Sequence, residues 1–162
     1  MYQIGMFGGK FIPFHKGHEY CLSVASSQCK TVYCIMFVNG TDEENIDMDD
    51  KLKSMRYNLF FNAVFRYDNV IPIILDVKKC RKDDCTEDWD AETPLVRQVV
   101  GNKLDAVYSS EVSYGDYFRR AYPEAKHILV DPERIKYPIS GTKIRDMMKN
   151  GDESWENHIV IQ

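Results

Sequence analysis

Gly8-Gly9-Lys10-Phe11-Ile12-Pro13-Phe14-His15-Lys16-Gly17-His18 follows directly on the apolar run Tyr2-Gln3-Ile4-Gly5-Met6-Phe7. The apolar run reads as a buried first strand. The glycines end it, Pro13 stiffens the loop, and a helix is expected from about His18 to Gln28. The same alternation repeats outward along the chain. Thr31–Val38 is β-branched and apolar throughout, a strand covered on both faces. Lys51–Val64 carries Leu52, Met55, Leu59, Phe60 and Val64 at helical spacing. Val70–Leu75 is a third strand, whose Pro72 argues for a strand end or a weakly paired position.

Lys78–Glu92 is charged and irregular, with Trp89 stranded inside it. Thr93-Pro94 has the form of a helix start, Thr as N-cap and Pro in the first turn, running to about Val100 and closed by Gly101-Asn102. Asp105–Tyr108 is a fourth strand, Ser113–Ala121 a short helix and His127–Val130 a fifth strand. Ser140–Lys149 is a last helix with Ser140 placed to cap it. Strands alternating with helices predict an α/β fold, a doubly wound parallel five-stranded sheet with helices on both faces. One domain is expected, with a core over about 2–150 and a short extension at 151–162.

Composition narrows the function. The 162 residues are 44% hydrophobic, 28% charged and 12% aromatic, a globular balance. Lys plus Arg is 21 against 25 Asp plus Glu, a net charge of −4. A mildly acidic chain lacks the basic footprint of a nucleic-acid binder, so a polyanionic ligand needs a local basic site. Cys21, Cys29 and Cys34 sit among apolar residues and read as small buried hydrophobes. Cys80 and Cys85 have no second Cys or His pair at zinc spacing, so two free thiols are expected. With no leader and no long apolar run, a reduced cytoplasmic protein without membrane partners is expected. The sequence leaves a homo-oligomer open, and the acidic stretch at 41–50 reads as a solvated loop.

Ligands of doubly wound sheets bind outside the carboxyl ends of the strands. Two segments there are dense in chemistry. In the first, Gly8 and Gly9 let backbone approach a ligand, and His15 and His18 lie three apart on one face of a helix start. Gly17 leaves room for a phosphate between them, and Lys10 and Lys16 add positive charge. The second is Pro138-Ile139-Ser140-Gly141-Thr142-Lys143-Ile144-Arg145, a helix start with two hydroxyls in its first turn and Arg145 five residues on from Ser140. Two helix N-termini favour anions. Two histidines and several cations around one crevice describe a triphosphate site. Ser140 alone would be only a cap, and each lysine alone only a solvated charge. The joint pattern carries the case.

Gly-Lys-Phe-x-Pro-x-His-x-Gly-His (Gly9 to His18) with Ile-Ser-Gly-Thr-x-x-Arg (Ile139 to Arg145) resembles the two signatures of the nucleotidyltransferase superfamily, in the form of archaeal-type and NadR-type nicotinamide mononucleotide (NMN) adenylyltransferases. Tyr108-Ser-Ser-Glu111, Ile128–Pro132 and Trp89-Asp90 extend the resemblance over about Met6 to Trp155. It implies a Rossmann-like domain that transfers AMP from ATP to NMN, giving NAD and pyrophosphate, with Mg2+ accompanying ATP. It implies that His15, His18, Lys10 and Arg145 are catalytic. It further implies that Gly8, Gly9, Lys16, Ser140 and Thr142 help bind ATP, and that Lys10, Arg56 and Trp89 hold NMN. No second glycine-rich phosphate loop occurs, so the kinase activity of longer NadR-type relatives is not expected. The alternatives are another phosphorylated acceptor, such as nicotinic acid mononucleotide or phosphopantetheine, or a nucleotide-binding sensor without turnover.

Overall fold

The computed structural model describes residues 1–39, 48–82 and 87–160. Five parallel strands, β1 (Tyr2–Gly9), β2 (Cys29–Val38), β3 (Val70–Asp76), β4 (Ala106–Ser109) and β5 (Lys126–Leu129), form one sheet in the order β3-β2-β1-β4-β5. β1 is central, and the strand order reverses between β1 and β4. Pro72 lies on the edge strand β3, where a missing N–H costs no ladder bond on the open side.

Side chains alternate between the faces of the sheet. Phe7, Ala106 and Tyr108 join the core with Cys21, Leu22 and Ala25 of α1 (Lys16–Gln28) and Phe60, Ala63 and Val64 of α2 (Asp50–Val64). Met6, Ile35 and Val107 face the other way, onto Val96 and Val100 of α3 (Trp89–Val100) and Phe118 of α4 (Gly115–Ala121). The doubly wound architecture is the expected one. α5 (Gly141–Lys149) and the 3₁₀ segment Glu153–His158 add a smaller cluster of Ile139, Ile144, Trp155 and Ile159, packed on Met55 and Leu59 of α2. Cys21, Cys29 and Cys34 are buried free thiols as expected, and Cys80 is a half-buried free thiol; Cys85 and most of the acidic stretch lie outside the described residues.

Several element starts differ from expectation, β2 beginning at Cys29 and β5 at Lys126 among them. α1 begins at Lys16 because His15 itself caps it. α3 begins at Trp89, not Thr93: Asp88 caps it by accepting from the Ala91 N–H at 3.1 Å, and Asp90 and Glu92 complement the helix dipole in the first turn. Pro94 therefore lies inside the helix, forgoing one bond to the Asp90 carbonyl. The Thr93 hydroxyl donates to the Trp89 carbonyl at 3.0 Å instead of capping. The helix expected over Ser113–Ala121 divides into a 3₁₀ turn, Val112–Tyr114, and the short α4.

Candidate active site

A cleft of about 420 Å³ opens at the carboxyl ends of β1 and β4, where the strand order reverses. This is where a doubly wound sheet offers a crevice. Its walls come from the loop after β1, the starts of α1, α3 and α5, and the segments after β4 and β5.

The loop after β1 is held from several sides. Phe11 takes a positive φ of 51° and is buried, with ring contacts to Phe7, Phe14, Phe60 and His18. That packing offsets the backbone cost of a left-handed Phe. Arg145 Nη1 donates to the Ile12 carbonyl at 2.7 Å, tying α5 to the loop, and Arg145 Nη2 donates to Thr142 Oγ1 at 3.2 Å. A Cβ on Gly141 would sit 2.9 Å from that same carbonyl, so only glycine permits the approach. Arg56 is 4% exposed and donates through Nη2 to the Lys10 carbonyl at 2.9 Å and the Phe37 carbonyl at 3.2 Å.

The two histidines form a reciprocal cap. His15 Nδ1 accepts from the Gly17 N–H at 3.0 Å, and His18 Nδ1 accepts from the His15 N–H at 3.2 Å. Both Nδ1 atoms are therefore acceptors, and this network assigns the ring proton of each to Nε2. The rings stack with centroids 3.7 Å apart. Burial pulls the His15 pKa down to about 3, helped by the charges of Arg134 and His158. Burial, then His15 and Arg134, hold His18 well below its usual value. Both rings are neutral Nε2–H donors at neutral pH. The space above Gly17 is filled by the His15 ring, with a Cβ there 2.9 Å from Cε1. The glycine thus admits the ring, and with His15 and His18 it also lines the cleft.

The other expected residues are placed as follows. Gly8, Gly9, Lys10, His15, His18, Trp89, Ser140, Thr142 and Arg145 all line the cleft; Lys16 and Arg56 do not. A Cβ on Gly8 would meet the Phe37 ring and one on Gly9 the Phe11 ring, so these glycines make room for core aromatics as well as for a ligand. Ser140 caps α5, accepting from the Lys143 N–H at 3.2 Å. Lys10 is ion-paired with Glu87, which also accepts from Trp89 Nε1 at 3.1 Å. Burial pushes the Glu87 carboxyl up, but its bonds to Lys10 and Trp89 hold it below the usual range. Trp89 sits in the first turn of α3, edge-to-face with Tyr114 and Tyr117.

Sequence reasoning missed Glu87, Glu92 and Arg134. Arg134 lines the cleft between β5 and α5, donating to the Ile139 carbonyl at 2.8 Å and to Glu111 at 2.6 Å. The signal available was a cation in the strand-to-helix segment that already carries Ser140 and Arg145. Glu92 could have been found only with the helix start at Trp89, which puts it on the same face three residues on. Among the described residues, no group of three His, Cys, Asp or Glu could hold a metal ion, and no helix is long and apolar enough to cross a membrane.

Fold and cleft together define a Rossmann-like α/β domain whose cleft, at the reversal of the strand order, is bordered by the starts of α1 and α5. Its likeness is to nucleotidyltransferases of the NadR type. No protein-family model matches the chain. The trifunctional NAD biosynthesis/regulator protein NadR of Escherichia coli is 26% identical over 163 residues, covering 94% of this chain and 38% of that protein. This chain thus spans well under half the length of that relative. The crystal structure of NadR protein in complex with NAD and AMP-PNP aligns with TM-score 0.66 at 20% identity, covering 98% of this chain and 45% of the other. A bifunctional NMN adenylyltransferase/ADP ribose pyrophosphatase from Francisella tularensis aligns with TM-score 0.65 at 24% identity over 93% of this chain and 43% of its own. A second structure of it, with TM-score 0.59 at 23% identity over 93% of this chain and 42% of its own, is complexed with AMP and a manganese ion.

Proposed function

We propose that this chain is an adenylyltransferase that joins the 5′-phosphate of NMN to the α-phosphate of ATP, forming NAD and releasing pyrophosphate. One observation carries the proposal: two neutral Nε2–H donors at the start of α1 share a cleft with Arg145 and the start of α5, at the reversal point of the sheet. The resemblance to NMN adenylyltransferases supports the choice of substrates.

An oxygen of the NMN phosphate attacks the α-phosphorus. The bond from that phosphorus to the bridging oxygen breaks, and pyrophosphate leaves with the electron pair. Charge grows on the α-phosphate oxygens and the bridging oxygen. The protein supplies positioning and electrostatic stabilisation, with no covalent intermediate. His15 and His18 donate to these oxygens from fixed positions. Being neutral and stacked, they need no reorganisation as charge develops.

Ser140, Thr142 and Arg145, with the N–H groups at the start of α5, take the β- and γ-phosphates. Lys16, at the first position of α1, adds long-range attraction from outside the cleft wall. Gly8 and Gly9 bring strand-end backbone against the nucleotide. Lys10 exchanges its partner Glu87 for the phosphates of the two substrates. Arg56 acts beneath it, holding the Lys10 carbonyl and so the course of the loop. Trp89 offers a flat face to the nicotinamide ring. Magnesium would accompany ATP as part of the substrate and would screen the charge of its phosphates.

The test is NAD formation from ATP, magnesium and NMN, read by a coupled dehydrogenase, beside a reaction with nicotinic acid mononucleotide followed by pyrophosphate release. Turnover dependent on a mononucleotide is expected. ATP binding with no turnover on either acceptor would overturn the proposed function.

A further inference from the structure

Glu92 is 8% exposed and lines the cleft. Its carboxyl makes no hydrogen bond or ion pair with any of the described residues. Its oxygens are not among the enclosed atoms left without a partner; they open onto the cleft, available to a donor that a ligand would bring. It lies three residues after Trp89, on the same face of α3. Glu87 lines the same end of the cleft. Tyr114, Tyr117 and Phe118 complete the wall around them. This end of the cleft is aromatic and carries two carboxyls, of which Glu87 is ion-paired with Lys10, whereas the end at α1 and α5 carries the histidines, Arg134 and Arg145.

That polarity fits one kind of ligand, with an anionic tail and a flat cationic head. NMN is such a molecule: its phosphate is negative, and its nicotinamide ring is a pyridinium cation. A cation is favoured over aromatic faces beside carboxylates. The ring also carries an uncharged carboxamide, whose N–H groups match a carboxylate acceptor. Nicotinic acid mononucleotide differs only in having a carboxylate there. Glu87 is already ion-paired with Lys10, so against Glu92 that group would set a second carboxylate beside an ionised Glu92, and like charges so placed are disfavoured.

We propose that Glu92 determines acceptor specificity, accepting from the carboxamide of the nicotinamide ring and excluding the carboxylate of nicotinate. This rests on the adenylyltransferase function proposed above and names its acceptor more narrowly. The environment of the carboxyl supports it. Burial, then Glu87 and Asp88, push the Glu92 pKa up to about 7, with Lys10 opposing. Positive charge brought beside the group favours its ionised form, and the pyridinium would bring it.

The experiment measures kcat/KM for NMN and for nicotinic acid mononucleotide by pyrophosphate release, with binding of each mononucleotide followed by calorimetry. Wild type, Glu92→Gln and Glu92→Met are compared. Wild type should favour NMN by about 100-fold or more, as expected where a site pairs a polar group of one substrate and repels its rival. Glu92→Gln keeps the shape and removes the charge, and should narrow the ratio by about tenfold or more. Glu92→Met should narrow it too, while weakening NMN binding further. A merely structural role for Glu92 would lower both rates together and leave their ratio alone.

Either of two results would overturn the proposal while leaving the adenylyltransferase function standing: a wild type indifferent between the acceptors or favouring nicotinate, or a ratio unchanged in both variants. Neither turnover nor heat of binding with either mononucleotide would overturn both.

Discussion

Replacing His15 by Asn should remove a defined part of the protein's acid sensitivity. His15 is 2% exposed, and burial, then Arg134 and His158, hold its pKa at about 3, against an ordinary value of 6.5. On acidification the unfolded chain takes up a proton that the native ring refuses. The stabilisation from His15 is complete above about pH 6.5 and fades as the pH falls toward 3. Between about pH 7 and about pH 5, linkage makes this a loss of about 2 kcal/mol.

Glu92 acts with the opposite sign. Its carboxyl, at about 7, binds a proton in the native state before the unfolded chain does, so acidification over the same window is stabilising by a similar amount. The overall slope of the wild type is therefore uninformative, and the difference between proteins isolates His15. Asn at this N-cap keeps an acceptor for the Gly17 N–H and does not titrate. The assay is urea unfolding of both proteins at about pH 7 and about pH 5. Wild type should lose about 2 kcal/mol more than His15→Asn on acidification. Equal losses would refute a His15 buried neutral with Nδ1 as acceptor, and with it the assignment of its proton to Nε2.

Further outcomes are expected from single substitutions. His18→Ala should lower kcat by about 10²–10³-fold, the usual cost of one donor to a developing oxyanion, while circular dichroism stays native; near-normal turnover would remove His18 from the chemistry. Trp89→Ala should raise KM for NMN more than KM for ATP, and equal effects would make Trp89 a structural cap. Gly141→Ala should destabilise the protein by about 1–3 kcal/mol in thermal melts, because its Cβ would press on the Ile12 carbonyl at 2.9 Å; an unchanged melting temperature would show that the loop yields.

The strand runs and their glycine-rich ends were legible in the sequence because period, β-branching and turn residues are local properties. So was the helix start at Ser140, since a hydroxyl before a helical run has a local use. The pairing of the two segments at one crevice followed from chain order, through the rule that places ligands at the carboxyl ends of parallel strands. Other features depend on partners remote in the chain. Arg56 had the right residue type for a phosphate, and its hold on the Lys10 and Phe37 carbonyls shows only in the tertiary structure. Gly17 proved to serve a ring that turns back over it. Thr93-Pro94 carried a local start signal that the Asp88 cap and the aromatic packing of Trp89 overrode. The protonation of His15 and His18 and the isolation of Glu92 are matters of burial. Burial is set by what the whole chain packs against a group, so the tertiary structure alone decided them.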